Sequence, residues 1–294
     1  MDLTADPRLR SRTARASVGV AGSLVLLKLA TWWYTGSTGL LGSALDSSFD
    51  LLASLLILWA VRAAERPPDA DHPWGHGKAE GLASLFQGVF VLFAGLAFAA
   101  HTLERFFRPE TRSELTGEWS GIVVMVVASI ATVWLIERQR RTVQATGSPA
   151  IRADRAHYAS DLGMNAAVAL GLGLSWLLDG NPWPDLVVGL GVALIILNTA
   201  RNVLVEAFSI LMDAGLSPCD SRAILTAVRG CSERVRGFHE LRSRRSGTDV
   251  FLELHLDLDR DLSFVEAHHL AESVQAAIQE AVPRSRVTVH TDPL

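Results

Sequence analysis

The sequence predicts a polytopic α-helical membrane protein. Six transmembrane helices occupy residues 1–212, and a C-terminal α+β domain of order αββαβ occupies 213–294. Three observations carry this expectation. Hydrophobic residues make up 49% of the 294, more than a soluble chain of this length normally needs. They pool in long runs before residue 212, whereas the chain beyond it reads as ordinary soluble sequence. Within that tail, one stretch alternates strictly between polar and apolar positions.

A membrane-spanning helix needs about 20 predominantly apolar residues. Six runs qualify: Ser17 to Tyr34, Leu40 to Val61, Leu82 to Leu103, Trp119 to Ile136, His157 to Leu178, and Leu186 to Met212. The fourth contains no charge, while the second and fifth carry charged groups that a lipid-facing helix would disfavour.

Basic residues in the connections set the orientation. Arg8, Arg10, Arg12 and Arg15 precede the first run, and Arg62, Arg66 and Lys78 fall between the second and third. Arg138, Arg140, Arg141, Arg152 and Arg155 lie between the fourth and fifth. These connections share one side of the membrane. On the other side Thr35–Gly39 is uncharged, Asp179–Asp185 has no basic residue, and Arg105, Arg108 and Arg112 are mixed with Glu110, Glu114 and Glu118. The bias places both termini in the cytoplasm. The N-terminal arm lacks a short apolar core ending in small residues, so no cleaved signal is expected. Two cysteines, Cys219 and Cys231, argue against a disulfide framework, and the formal net charge of −4 gives no sign of nucleic-acid binding.

In the tail, Cys219–Arg229 has helical spacing, and Gly237–Arg245 and Asp249–Leu258 read as strands joined at Ser246 and Gly247. Phe251, Glu253, His255 and Asp257 alternate with Leu252, Leu254, Leu256 and Leu258, so the sheet has one buried face. A helix over Phe264–Ala281 and a strand over Arg286–Thr291 complete the domain.

The charges inside the apolar runs carry the chemistry. Asp46 and Asp50 are four apart on the second run, as are His157 and Asp161 on the fifth. Such spacing puts each pair on one helical face. Two stacked acids repel each other and cost free energy in lipid, and a bound cation offsets both. A capping or interhelical hydrogen-bond role would account for one such residue, but not for two matched pairs. Three carboxylates and one imidazole make a four-ligand set suited to zinc and acceptable to iron(II), cadmium or cobalt. Lys28, in the middle of the first run, either pairs with an acid or snorkels toward the membrane surface, and the sequence does not choose between them.

Two further groups have ligand chemistry. Asp69, His72 and His76 are spaced to close around one ion, with Asp71 beside them, and a solvated acidic loop with stray histidines is the alternative reading. His239, His255, His268, His269 and His290 crowd the last 56 residues, with Asp292 two beyond the last, and a pH sensor or a surface scatter of histidines is the alternative reading. An intramembrane metalloenzyme would need an activated water at an open coordination position, and no His-Glu-x-x-His stretch is present. A passive metal channel is the other alternative.

With these residues in place, the chain resembles the cation diffusion facilitator family, closest to its bacterial zinc and ferrous-iron efflux branch, the YiiP type. The resemblance runs from about Ser17 to Pro293. It rests on Trp-Trp-Tyr-Thr-Gly at 32–36, Asp-Ser-Ser-Phe-Asp at 46–50 and His-Pro-Trp-Gly-His-Gly-Lys-Ala-Glu at 72–80. His-Tyr-Ala-Ser-Asp at 157–161 and His-Thr-Asp-Pro at 290–293 complete it. It implies proton-coupled efflux of divalent metal, zinc first and then iron(II) or cadmium, by a homodimer in the bacterial inner membrane. It implies a metallochaperone-like fold for the tail. Asp46, Asp50, His157 and Asp161 would form the transport site, and Asp69, His72 and His76 a loop site. His239, His255, His268, His290 and Asp292 would form a two-metal site in which Asp292 bridges, with Thr291 standing where relatives can carry glutamine. Lys78 and Asp213 would be a charge pair tying the loop to the end of the sixth helix. His269 has no counterpart role and is expected at the surface.

Overall fold

Six long helices precede a small sheet domain in the computed structural model, which describes residues 8–36, 38–107, 119–178, 181, 183–216 and 218–294. They are α1 (Arg8–Thr35), α2 (Thr38–Ala64), α3 (Lys78–Phe107), α4 (Trp119–Thr146), α5 (Pro149–Leu177) and α6 (Trp183–Leu211). Among the described residues, four stretches are long and apolar enough to cross a membrane: Arg8–Thr35, Leu41–Ala64, Lys78–Phe107 and Trp183–Leu211. Their outer faces keep large apolar side chains uncovered, such as Leu194 at 67% and Ile195 at 66% exposure. Such a surface needs lipid against it.

The helices outrun the apolar sequence. α1 begins at Arg8 rather than near Ser17, α4 continues to Thr146, and α5 begins at Pro149. The arginines expected in the arm before the first run therefore lie on α1. Those expected in a loop between the fourth and fifth runs lie on α4 and α5, and Arg62 lies on α2. The connection between α4 and α5 shrinks to Gly147, at φ 66°, and Ser148. Ser148 caps α5 by accepting the Ile151 N–H, and Pro149 follows at the first helical turn.

A polar core holds these extensions together. Arg10 donates to Glu80 at 2.7 Å, and both are buried. Ser148 donates to the other Glu80 oxygen at 2.5 Å, and Ser11 donates to Glu65 at 2.5 Å. Thr13 meets Thr142 at 2.8 Å, and Asp154 accepts from Ser17 at 2.7 Å and Gln139 at 2.8 Å. Buried polar groups persist when they satisfy one another, which an apolar run cannot reveal.

On α3, Gly81, Gly88 and Gly95 recur every seven residues and face Ile210, Leu204 and Ile196 of α6. A Cβ at any of the three would come within 3.0 Å of an α6 side chain, so the small residues set how closely the helices approach. At the other end of this pair, Arg105 lies 3.6 Å from Asp185, which gives that cation an acidic partner. Arg108, Glu110, Arg112, Glu114 and Glu118 lie outside the described residues.

The C-terminal domain runs α7 (Pro218–Arg229), β1 (Val235–Ser246), β2 (Asp249–Leu258), α8 (Phe264–Ala281) and β3 (Ser285–Pro293). The sheet order is β1-β2-β3, antiparallel and then parallel. Leu252, Leu254, Leu256 and Leu258 face α7 and α8 and are buried with Ile224, Val228, Val274 and Ile278. Ser263 and Glu266 form a capping box that starts α8.

The tip of the β1–β2 hairpin docks on the helical domain. Gly247, at φ 63°, opens a two-residue turn between the paired Ser246 and Asp249. Arg10 reaches Thr248 of this turn at 3.0 Å. A Cβ on Gly77 would sit 2.3 Å from the Ser246 carbonyl oxygen. Trp74 meets Phe251 edge-on at 5.4 Å, and Arg244 stacks over Trp74 at 4.5 Å. Phe251 is therefore buried even though it lies on the polar face of the sheet.

Candidate metal centres

Three of the four residues expected to form the intramembrane site converge. α2 delivers Asp50, and α5 delivers His157 and Asp161 one turn apart. His157 Nε2 lies 3.1 Å from Asp50 Oδ1 and 3.4 Å from Asp161 Oδ2. One ligand atom from each of the three lies within 4.8 Å of the others, close enough to share an ion. The His157 ring is buried, with Phe90 edge-on at 6.1 Å, and Tyr158 beside it bonds Ser54 at 2.8 Å. Asp46, one turn before Asp50, is exposed and stands outside this group of three. A cavity of about 150 Å³ opens onto the centre, bordered by Asp50, Asp161, Asn165 and Thr132.

Lys28 also borders that cavity. Its ammonium donates to Ser47 Oγ at 2.7 Å and to the Ser43 carbonyl at 3.2 Å. The side chain thus crosses from α1 to α2 instead of reaching for the membrane surface.

The loop between α2 and α3 gathers a second candidate set of ligands. Asp69 lies 3.2 Å from His72 Nδ1 and 3.3 Å from His76 Nε2, and the two rings are 4.4 Å apart. The His72 N–H also donates to Asp69 at 2.7 Å. That backbone bond, reinforced by the two imidazoles, holds the Asp69 carboxyl below the usual carboxylate range, so it stays ionised. Asp69, and not Asp71, is the aspartate gathered with the two histidines. His76 is mostly buried and turns Nε2 toward the aspartate, while its Nδ1 has no hydrogen-bond partner among the described residues.

The third centre comes from strand register. His239, His255 and His290 are lateral neighbours on β1, β2 and β3, and Asp257 and Asp292 are neighbours two residues further along. A bulge on β1 sets this row. From Ser246 back to Arg242 the pairing is regular, then three steps on β1 match two on β2, with Glu240 at φ 49°. Without that extra residue, Glu240 rather than His239 would face His255. Asp292 lies at the focus: Oδ2 is 2.8 Å from His255 and 3.4 Å from His239, and Oδ1 is 3.0 Å from His290. The His255 hydrogen bond, followed by His290, holds the Asp292 carboxyl below its ordinary range. Asp257, 2.9 Å from His239 Nδ1, orients that ring with Nε2 toward Asp292. Sequence reading placed Asp257 on the right face but gave it no role.

His268 does not join this row. It lies on α8, which packs on the opposite face of the sheet, and is 3.5 Å from Glu272. His269 is exposed beside it, as expected. The side chain of Cys219 lies outside the described residues, and Cys231 is a free thiol.

Lys78 and Asp213 meet. Lys78 Nζ is 3.0 Å from Asp213 Oδ2 and donates to the Leu211 carbonyl at 3.3 Å, with Arg244 3.8 Å from the same aspartate. The pair links the start of α3, the end of α6 and β1. Alanine at either position is expected to slow transport a few-fold, since half-exposed pairs contribute only about 1 kcal/mol or less. Asp213→Ala should lose more, because it also releases Arg244. A double-mutant cycle on initial transport rates tests the pairing: a double variant no worse than Asp213→Ala supports it, and fully additive losses contradict it.

Two family models match the chain: the cation efflux transmembrane domain over residues 14–212, and the cation efflux protein cytoplasmic domain over 216–294. The cation-efflux pump FieF of Klebsiella pneumoniae subsp. pneumoniae is 39% identical over 286 residues, 97% of this chain and 93% of that one. FieF of Cronobacter sakazakii is 40% identical over 287 residues with the same coverage. Among solved structures, the zinc form of CzrB is 35% identical, covering 28% of this chain and 93% of that one at a TM-score of 0.25. The MamM C-terminal domain is 26% identical, covering 26% and 95% at 0.24. Pumps are transporters and not enzymes, and with matches along nearly its whole length the chain belongs to the cation efflux (cation diffusion facilitator) family.

Proposed function

We propose that this protein exports divalent transition-metal ions from the cytoplasm in exchange for protons, with zinc the preferred cargo and iron(II) and cadmium also carried. The observation that carries the reading is the convergence of Asp50, His157 and Asp161 between α2 and α5. Asp46, one turn away on the same face of α2, completes the ligand set when the ion binds. Two carboxylates and an imidazole already in place suit zinc better than an all-oxygen set would. Metal binding requires deprotonated ligands, so loading metal releases protons, and protons arriving from the other side displace it.

In this reading all six helices cross the bilayer, α5 with its charges turned inward. That even number keeps both termini on the basic, cytoplasmic side of a bacterial inner membrane. Residues 1–212 form the transport domain and 213–294 a regulatory one. Asp69, His72 and His76 hold a metal in the loop. His239, His255, His290 and the bridging Asp292 hold metal in the tail, where it biases the two access states. His268, beneath the other sheet face, reaches such a centre only from a second copy, in keeping with a homodimer.

Purified protein in liposomes tests this. Zinc uptake is expected to rise roughly threefold or more per pH unit when the side opposite the metal is made acidic, and to fall to background when an ionophore dissipates the gradient. Equal flux with and without the gradient would favour the passive channel over antiport. Running iron(II), cadmium and manganese in the same vesicles ranks the cargo.

A further inference from the structure

We propose that Lys28 is the fixed counter-charge of the transport site, and that it sets how tightly a divalent ion is held and how readily it leaves. The inference rests on the reading of Asp46, Asp50, His157 and Asp161 as that site. Lys28 is the one cation in the run Ser17 to Tyr34. A charge at that depth is costly unless it is paired or faces a polar cavity.

The structure gives Lys28 both a cavity and a tether. It borders the same cavity as Asp50 and Asp161. Its ammonium is anchored by Ser47 Oγ at 2.7 Å and the Ser43 carbonyl at 3.2 Å. Ser43 and Ser47 are four residues apart on α2, as are Asp46 and Asp50, and each serine precedes an acid by three, so the anchor lies on the face that carries the two acids. Both anchoring oxygens are neutral. The charge is therefore fixed in place without being consumed by a direct ion pair, and it acts through space on Asp46, Asp50 and Asp161.

The charges then balance. Three carboxylates, one ammonium and one divalent ion sum to zero. An occupied site with no net charge suffers the least desolvation while the helices move around it. With a neutral side chain at position 28, the occupied site carries one uncompensated negative charge. The ion is then held more strongly, and its release becomes slow.

Transport kinetics in liposomes with zinc chloride separate this role from a structural one. Lys28→Met and Lys28→Gln are expected to lower the half-saturating zinc concentration about tenfold and the maximal rate about tenfold, the scale of one unit charge acting across a partly screened cavity. Lys28→Arg keeps the charge and should stay within about threefold of the parent on both. An unchanged or raised half-saturating concentration in the neutral variants would overturn the proposal, as would parent-like kinetics. Loss of the folded protein in both neutral variants would also overturn it, because the lysine would then be structural. Asp50→Ala run alongside distinguishes the failures. If it still transports, the site reading itself is wrong; if it is inactive while Lys28→Met behaves as the parent, only the counter-charge is wrong.

Discussion

Asp50→Ala is expected to reduce zinc transport by more than about 100-fold while leaving a folded, monodisperse protein. Losing even an outer-shell partner of a metal ligand typically costs 10- to 100-fold, and Asp50 stands where a ligand itself would. Its carboxylate is 3.1 Å from His157 Nε2, and among the described residues three metal-ligating side chains are gathered at that point. The residue is half-buried beside a cavity, so its removal disturbs little packing. Size-exclusion elution and initial zinc flux measured on one preparation check both halves. Near-normal flux would mean that the ion passes elsewhere.

Glu80→Ala is expected to have the largest effect on stability, lowering the unfolding free energy by about 3–5 kcal/mol. Removing one partner of a buried ion pair leaves the other poorly compensated, and among the described residues Arg10 would keep only Glu65 as an acidic partner, at 4.0 Å. Glu80 is fully buried and Arg10 is 6% exposed. Glu80 also accepts from Ser148, the cap of α5, and Arg10 continues to Thr248 of the hairpin tip. One side chain therefore secures α1, α3, the α4–α5 connection and the docking of the small domain. Denaturant or thermal unfolding followed by intrinsic tryptophan fluorescence reads the loss, and Glu80→Gln should recover part of it by keeping the hydrogen bonds. A midpoint shared by Glu80→Ala and the parent would remove this junction from the account.

These two residues mark what the sequence discloses and what it hides. Asp50, His157 and Asp161, which the fold brings together, are legible because a charge in an apolar run is costly and a four-residue step fixes its face, while Asp46 stands outside that group. Glu80 is not legible in this way. It stands at a helix start where an acid is unremarked, and its burial depends on Arg10, 70 residues away. The same limit explains the short reach of the predicted helices. Hydropathy stops α1 near Ser17, while the partners that carry it back to Arg8 lie in the turn just after α2, on α3 and α4, and in the hairpin.

In the tail, strict alternation defines β2 from Asp249 to Leu258 and its buried leucine face. The histidine row is a different matter. It needs the lateral register, and the register turns on the bulge around Glu240, a backbone irregularity without a composition signature. His268 shows the converse. Its chemistry suits a metal, but the fold places it on the far side of the sheet.

An inactive variant can fail for many reasons, whereas a changed preference among ions reports on the ligands or their immediate surroundings. The direct measurement is therefore the ratio of initial zinc to manganese uptake in the same liposomes, for the parent and for His157→Asp. His157 supplies the only nitrogen of the proposed ligand set, and nitrogen favours zinc while all-oxygen sets suit manganese. Replacing it makes the site all-oxygen and adds a repelling carboxylate, so total rates should fall. The predicted result is a zinc-to-manganese ratio reduced by roughly tenfold or more. An unchanged ratio would contradict the claim that the transported ion passes through Asp50, His157 and Asp161.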